Sequence, residues 1–338
     1  MPLPLNLFLW YKTDMSKGKK KKFRVWYRKA RRPFEWLAIW LAVTIIPRLS
    51  MKGALRLSRL IAATVYLVDK KGKTISRANV RVMFPGLSDA RTDRIVRGSY
   101  RNMARVLVMI FWMGRKTRER IKRWVTYADG LEASFRESQP CVTVSAHVGN
   151  WEILSQTCVA YGYPMTSVAK QIGSPAMTEG LTKIRAVIGQ QIVPAEGALK
   201  HLMKALKSGC NIGLLVDQHV DAWQGGAWVS FFGLDSGISL APAALAFKLK
   251  VPVIFAWSRP FKDGRYRIEP GERFLPQDYP SPQAMTQAMA TAFERVIRRH
   301  PSLWCLNYRR WRYMKNGTEH PERYPFYAKP ERKPKNQG

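Results

Sequence analysis

A histidine and an acid five residues apart, His147 and Glu152, have the types and spacing for proton transfer. They sit in Val144-Ser145-Ala146-His147-Val148-Gly149-Asn150-Trp151-Glu152. The β-branched run before them, Val142-Thr143-Val144, reads as a buried strand, and the segment after Gly149 reads as the start of a helix. A His at such a junction stands at the lip of a sheet, where α/β folds place ligands. A carboxylate that curls back to one imidazole nitrogen fixes the tautomer, and the other nitrogen is then left to take a proton from a hydroxyl. The bland alternative is a core His that lies near an acid.

Three further segments carry candidate chemistry. Gly213-Leu214-Leu215-Val216-Asp217-Gln218-His219 is an apolar strand that ends in polar groups, and these would line the same crevice as His147. Lys183-Ile184-Arg185-Ala186-Val187-Ile188-Gly189 offers Arg185, whose guanidinium fork suits an acceptor phosphate or a developing oxyanion. Asp217 is expected to position Arg185 by a charge-assisted pair, and Asn150 is a second oxyanion candidate. Lys170 is a weaker anion ligand, and Leu303 to Trp311 adds an aromatic and basic cluster. There is no Gly-rich nucleotide loop and no Gly-x-Ser-x-Gly motif, which disfavours a serine esterase.

Positioning these groups requires a sheet. After residue 140, strand-like runs at 141–145, 165–169, 190–193, 211–216 and 252–257 alternate with helix-like runs at 151–161, 175–188, 196–208, 239–249 and 282–299. That alternation predicts an α/β sandwich around a mostly parallel sheet. A helical pattern also runs from about Asp89 to Arg120. Cys141, Cys158, Cys210 and Cys305 lie far apart and form neither a metal motif nor a disulfide framework, which suits a reducing compartment.

Charge points to the partners. The formal net charge is +34: residues 1–32 carry +10, residues 309–338 carry +6, and +18 remains on the body. Such a chain seeks polyanions. Residues 17–32 hold ten Lys/Arg and no acid, and they run into the apolar, Trp-rich stretch 34–47. That adjacency favours an anionic membrane over nucleic acid. The apolar run is about a dozen residues, short of the roughly 20 needed to span a bilayer. The expected organisation is a basic segment at 1–33, membrane-anchor helices at 34–70, a catalytic domain at 71–327 and a disordered tail at 328–338, the anchor being interfacial or embedded. A buried helix pair is the alternative reading of the anchor.

Ser-Ala-His147-Val-Gly-Asn-Trp-Glu152 resembles the His-(four residues)-Asp/Glu box of glycerolipid acyltransferases, and its Gly-Asn-Trp-Glu ending resembles the late acyltransferases of lipid A biosynthesis. Similar features are Arg77…Asn79…Phe84-Pro85, the Asp217-Gln218 pair, Phe231-Phe232-Gly233, and Arg185 followed by Gly189. The C-terminal segment departs from the family pattern, since Tyr308 stands where a His is common. The resemblance covers about residues 60–315. It implies a glycerolipid-acyltransferase-like fold with N-terminal membrane-associated helices at the bacterial inner membrane, the catalytic domain facing the cytoplasm. It also implies transfer of an acyl chain from acyl carrier protein, or second from acyl-CoA, to a hydroxyl of a phosphorylated glycolipid such as a lipid A precursor. His147 would be the base and Glu152 its orienting acid, with Asn150, Arg185, Asp217 and Gln218 binding substrate or oxyanion and no metal or bound cofactor. The partners would be the acceptor lipid, acyl carrier protein and the anionic membrane surface, with no nucleic acid. Two alternatives stay open: another acceptor (lysophospholipid, phosphatidylinositol mannoside or aminolipid), and a non-enzymatic protein that binds anionic membranes or nucleic acid.

Overall fold

The computed structural model describes residues 35–169, 175–186 and 188–331. The expected basic segment 1–33, Lys170 and residues 332–338 of the expected tail lie outside these.

Seven strands form the central sheet: β1 (Val125–Tyr127), β2 (Val142–Ser145), β3 (Met165–Ala169), β4 (Gln191–Pro194), β5 (Asn211–Leu215), β8 (Val253–Pro260) and β9 (Tyr266–Phe274). Their order is β1-β9-β8-β2-β5-β3-β4, and only the β8–β9 pairing is antiparallel. Both faces are covered, so the central strands read as near-continuous apolar runs. Along β8, Val253, Phe255 and Trp257 pack into the core on one face, while Ile254 and Ala256 pack into the core on the other. Helices Ala198–Lys207, Ala241–Leu249 and Pro282–Arg299 supply the first core; Thr117–Trp124 and Trp151–Ala160 supply the second. The mixed α/β architecture and the mostly parallel sheet agree with the reading of the sequence.

Antiparallel pieces are the additions. Gly226–Phe231 (β6) and Leu234–Ser239 (β7) form a hairpin, turned by Phe232 and Gly233 at φ 54° and 75°. Paired positive φ values make the tight turn whose twist matches the strands. Its aromatic tip packs on Trp304 and Trp311. Tyr313–Met314 pairs with Lys329–Pro330, and Glu331 Oε1 accepts the Trp228 indole N–H, so the tail expected from 328 begins inside the fold.

At the N-terminal side, residues 35–45 are helical, and helices Met51–Val68, Lys70–Met83 and Asp89–Met113 follow. Ser50 caps the second of these by accepting the Gly53 N–H, and Asp69 caps the third by accepting the Gly72 N–H. Met51, Ala54, Leu55, Ser58 and Ala62 are the buried stripe of helix Met51–Val68, at helical spacing. The opposite side leaves Leu60, Leu67 and Val68 exposed, and Trp36, Leu37 and Trp40 are exposed on the first helix. Among the described residues no helix is long and apolar enough to cross a membrane.

Candidate active site

Parallel register brings the chemistry together. β2 and β5 pair with a constant offset, Val142 with Ile212 through Ser145 with Leu215. Carried forward past the strand ends, that offset sets His147 beside Asp217. The Asp217 carboxylate takes the His147 Nδ1–H at 2.5 Å through Oδ1 and the His147 backbone N–H at 3.0 Å through Oδ2. Trp304 donates its indole N–H to the same Oδ2 at 2.8 Å. With Nδ1 committed as donor, Nε2 is the acceptor, and Gln218 brings its amide nitrogen to 3.5 Å from it. The Trp151 ring stands edge-on to the imidazole at 4.9 Å.

The surroundings set the protonation. Burial alone would lower the His147 pKa, but the attraction and hydrogen bond of Asp217, with a further pull from Glu152, leave it raised. Asp217 is also buried, which would raise its value, yet His147, the Arg310 guanidinium and the Trp304 N–H hold it down at about 2. Arg310 is itself 1% exposed, beside the Phe231 ring, and burial depresses its pKa. Asp217 is therefore ionised at neutral pH.

Glu152 has a different partner from the one expected. Its carboxylate accepts two hydrogen bonds from Arg185, at 2.6 and 2.9 Å, and both side chains are about nine-tenths buried. The reason is local. Helix Trp151–Ala160 starts at Asn150, so Glu152 lies in its first turn and faces the helix Pro175–Ala186 that carries Arg185. The expected pairs, Glu152 with His147 and Asp217 with Arg185, are exchanged in the structure for His147 with Asp217 and Glu152 with Arg185. A crevice of about 60 Å³ opens beside the second pair, lined by Thr143, Ser145, Trp151, Glu152, Arg185 and Gly213 among others.

Asn150 has a structural task as well. It is 1% exposed, and its Oδ1 caps the helix by accepting the Ile153 N–H, a bond that does not use the amide nitrogen an oxyanion would need. Gly149 explains the Gly-Asn step. Its φ is +65°, it bridges to Ser258, and a Cβ there would lie 1.8 Å from the Ser258 carbonyl oxygen.

Asn102, overlooked in the sequence, and Trp304, from the cluster at 303–311, hold the site from outside. Asn102 donates through Nδ2 to the carbonyls of Gly149 and Leu303, both at 2.9 Å. Trp304 bridges Val148, and the Cys305 N–H donates to the His147 carbonyl at 3.0 Å. Asn79, from the Arg77…Asn79 segment, binds the carbonyls of Leu306 and Tyr308. The hydroxyl of Tyr308 accepts the His219 backbone N–H. An Asn on the buried side of a helical stretch was the available signal for Asn102, because buried amides need partners.

Comparison with known proteins gives the family. Residues 20–313 match the model of the bacterial lipid A biosynthesis acyltransferase family. The chain is similar to the phosphatidylinositol mannoside acyltransferase of Mycobacterium tuberculosis, in both strain CDC 1551 / Oshkosh and strain ATCC 25618 / H37Rv. The identity is 22% over 289 residues, covering 82% of this chain and 87% of each relative.

Proposed function

Because the chain belongs to the bacterial lipid A biosynthesis acyltransferase family and is an acyltransferase, we propose that it moves a fatty acyl group from a thioester to a hydroxyl of a phosphorylated glycolipid, with His147 as general base. The observation that carries this is the buried Asp217 carboxylate 2.5 Å from Nδ1, which leaves Nε2 as the acceptor. Nε2 takes the proton of the acceptor hydroxyl as its oxygen attacks the thioester carbonyl carbon. Asp217 stabilises the imidazolium that forms, as an ionised neighbour must. The carbonyl oxygen becomes negative, and in this reading the Gln218 amide, 3.5 Å from Nε2, turns to donate to it. The carbon–sulfur bond then breaks, the ester forms, and the imidazolium returns its proton to the thiolate. Glu152 and Arg185 position the site: their charges neutralise one another under the Trp151 turn.

The donor in this reading is acyl carrier protein, an acidic partner for a chain of net charge +34. The acceptor is a lipid A precursor. A phosphatidylinositol mannoside is the second reading, favoured by the similarity to enzymes of that name. Exposed Trp36, Leu37, Trp40, Leu60, Leu67 and Val68 support an interfacial attachment to the bacterial inner membrane, which does not require a spanning helix. The test is transfer of labelled acyl groups, from acyl carrier protein or from coenzyme A, to a panel of glycolipids and phospholipids, read by mass spectrometry. Transfer to lipid A precursors and not to the mannoside decides between the two acceptors. Failure of every hydroxylated lipid in the panel overturns the reading.

A further inference from the structure

Away from the crevice of Glu152 and Arg185, a larger groove of about 770 Å³ opens between helices Met51–Val68 and Asp89–Met113 and the turn that joins β8 to β9. Arg97, Arg101 and Arg105 line it from one helix, Arg59 from the other and Lys262 from the turn, and no Asp or Glu lines it. The three arginines recur every four residues, so they stack on one helix face. Like charges at that spacing repel and destabilise a helix. Arg105 is held by the Tyr266 hydroxyl, and Arg97 lies over the Tyr66 ring. No carboxylate pairs with Arg59, Arg101 or Lys262 among the described residues. Acids close in sequence to the lining have other partners: Asp93 is gripped by Arg77, Asp263 by Arg265, and Asp69 accepts the Gly72 N–H and the Tyr100 hydroxyl. The floor is apolar, with Leu55, Ala62 and Leu303, and the rim carries Leu67, which is 73% exposed.

We propose that this groove is a binding site for a phosphate-bearing anionic membrane lipid, its phosphate bridging Arg59, Arg97 and Arg101 and its acyl chains lying along Leu67 and Leu60. Guanidinium forks that line one groove with no carboxylate in it match phosphate oxygens, and a bound phosphate removes the repulsion along the helix. Apolar residues at the rim select a lipid over a free anion, because a soluble phosphate has nothing to lay against them. Asn102 and Leu303 line the groove and also bond to each other beside Gly149, so the site shares a wall with the turn that holds His147. The inference does not rest on the chemistry assigned to His147, since it concerns binding alone.

The experiment uses the full chain in non-ionic detergent, titrated with phosphatidylglycerol, with phosphatidylcholine of the same chains, and with inorganic phosphate, and bound lipid is counted by native mass spectrometry. Wild type should retain phosphatidylglycerol in preference to phosphatidylcholine. The variant Arg97→Gln/Arg101→Gln should bind it about thirtyfold more weakly. Removing two charges from the remote helix Ala198–Lys207, by Lys204→Gln/Lys207→Gln, should leave it unchanged. The single variants Arg101→Gln and Lys262→Gln change exposed side chains only and should each weaken binding about fivefold, which keeps the test informative if the arginine pair fails to fold. Equal retention of the two lipids overturns the proposal. So does wild-type affinity in the Arg101 and Lys262 variants, or displacement of phosphatidylglycerol by equimolar inorganic phosphate.

Discussion

Arg185 grips Glu152 through two hydrogen bonds, 33 residues along the chain, and so withdraws that carboxylate from His147. The imidazole is oriented instead by Asp217, across the sheet. Two acids near one His thus have separate tasks, and each can be tested by a different measurement.

Removal of the base is the first test. His147→Ala should lower acyl transfer about 10²–10⁴-fold with little change in thermal stability. Asp217→Asn should lower it severely too, and the double variant should be little worse than His147→Ala, because the pair acts as a unit. Turnover is measured by labelled acyl transfer and folding by circular dichroism. Near-normal turnover in either single variant sinks the mechanism.

The dependence on pH follows from the raised His147 pKa. A general base works when neutral, so transfer should rise with pH through a value above the ordinary 6.5. In Asp217→Asn the attraction is gone and burial remains, so the acidic limb should move below 6.5 while the rate falls. For stability the signs are opposite. The contribution of His147 is fully present below 6.5 and is lost as pH rises through its raised value. That of Asp217 is present above 3.8 and is lost as pH falls towards about 2. A pH–rate profile of the two proteins checks the first claim, and melting temperatures across pH check the second.

Breaking the other pair should show as lost stability. Glu152→Gln leaves a buried guanidinium without its counter-charge, which costs about 3–5 kcal/mol. Arg185→Gln strands the carboxylate in the same way, and Glu152→Gln/Arg185→Gln should recover part of the loss. A double-mutant cycle on denaturant midpoints measures the coupling. Simple addition of the two losses shows that the residues act independently.

Gly149→Ala combines a disfavoured φ with a collision against the β8 backbone at Ser258. Destabilisation of about 3 kcal/mol or more is expected. The check is melting temperature, and a variant that melts within a degree of wild type contradicts the contact.

Membrane attachment has its own variant. Trp36→Ser/Trp40→Ser removes two exposed apolar side chains, each worth about 1.5–3 kcal/mol when buried. Binding to vesicles at high salt should fall more than tenfold. Retention equal to wild type means that this face does not enter the bilayer.

Much of this was legible before any coordinates. The strand and helix runs around His147, Arg185 and Asp217 could be read because period-two and period-3.6 patterns are local. The partner of His147 could not, because it depends on β2 and β5 being neighbours in register, and register between distant strands leaves no local trace. Proximity in sequence favoured Glu152, whereas proximity in space belongs to Asp217. The β6–β7 hairpin also escaped, since Phe232 is an unusual residue for positive φ. The capping role of Asn150 is also hidden, because a buried helix cap and an exposed amide look alike in sequence.

The carboxylate of Asp217 receives bonds from His147, 70 residues before it, and from Trp304, 87 residues after it, while Asn102 ties down Gly149 from an N-terminal helix. Every one of these contacts is long-range, which makes assembly slow and late. During synthesis, then, the Asp217 carboxylate that orients the base lacks its Trp304 bond until that segment has left the ribosome. No autonomous catalytic fragment should exist: a protein split or truncated before Leu303 would lose competence as a whole, and activity would serve as a reporter that the last layer has docked.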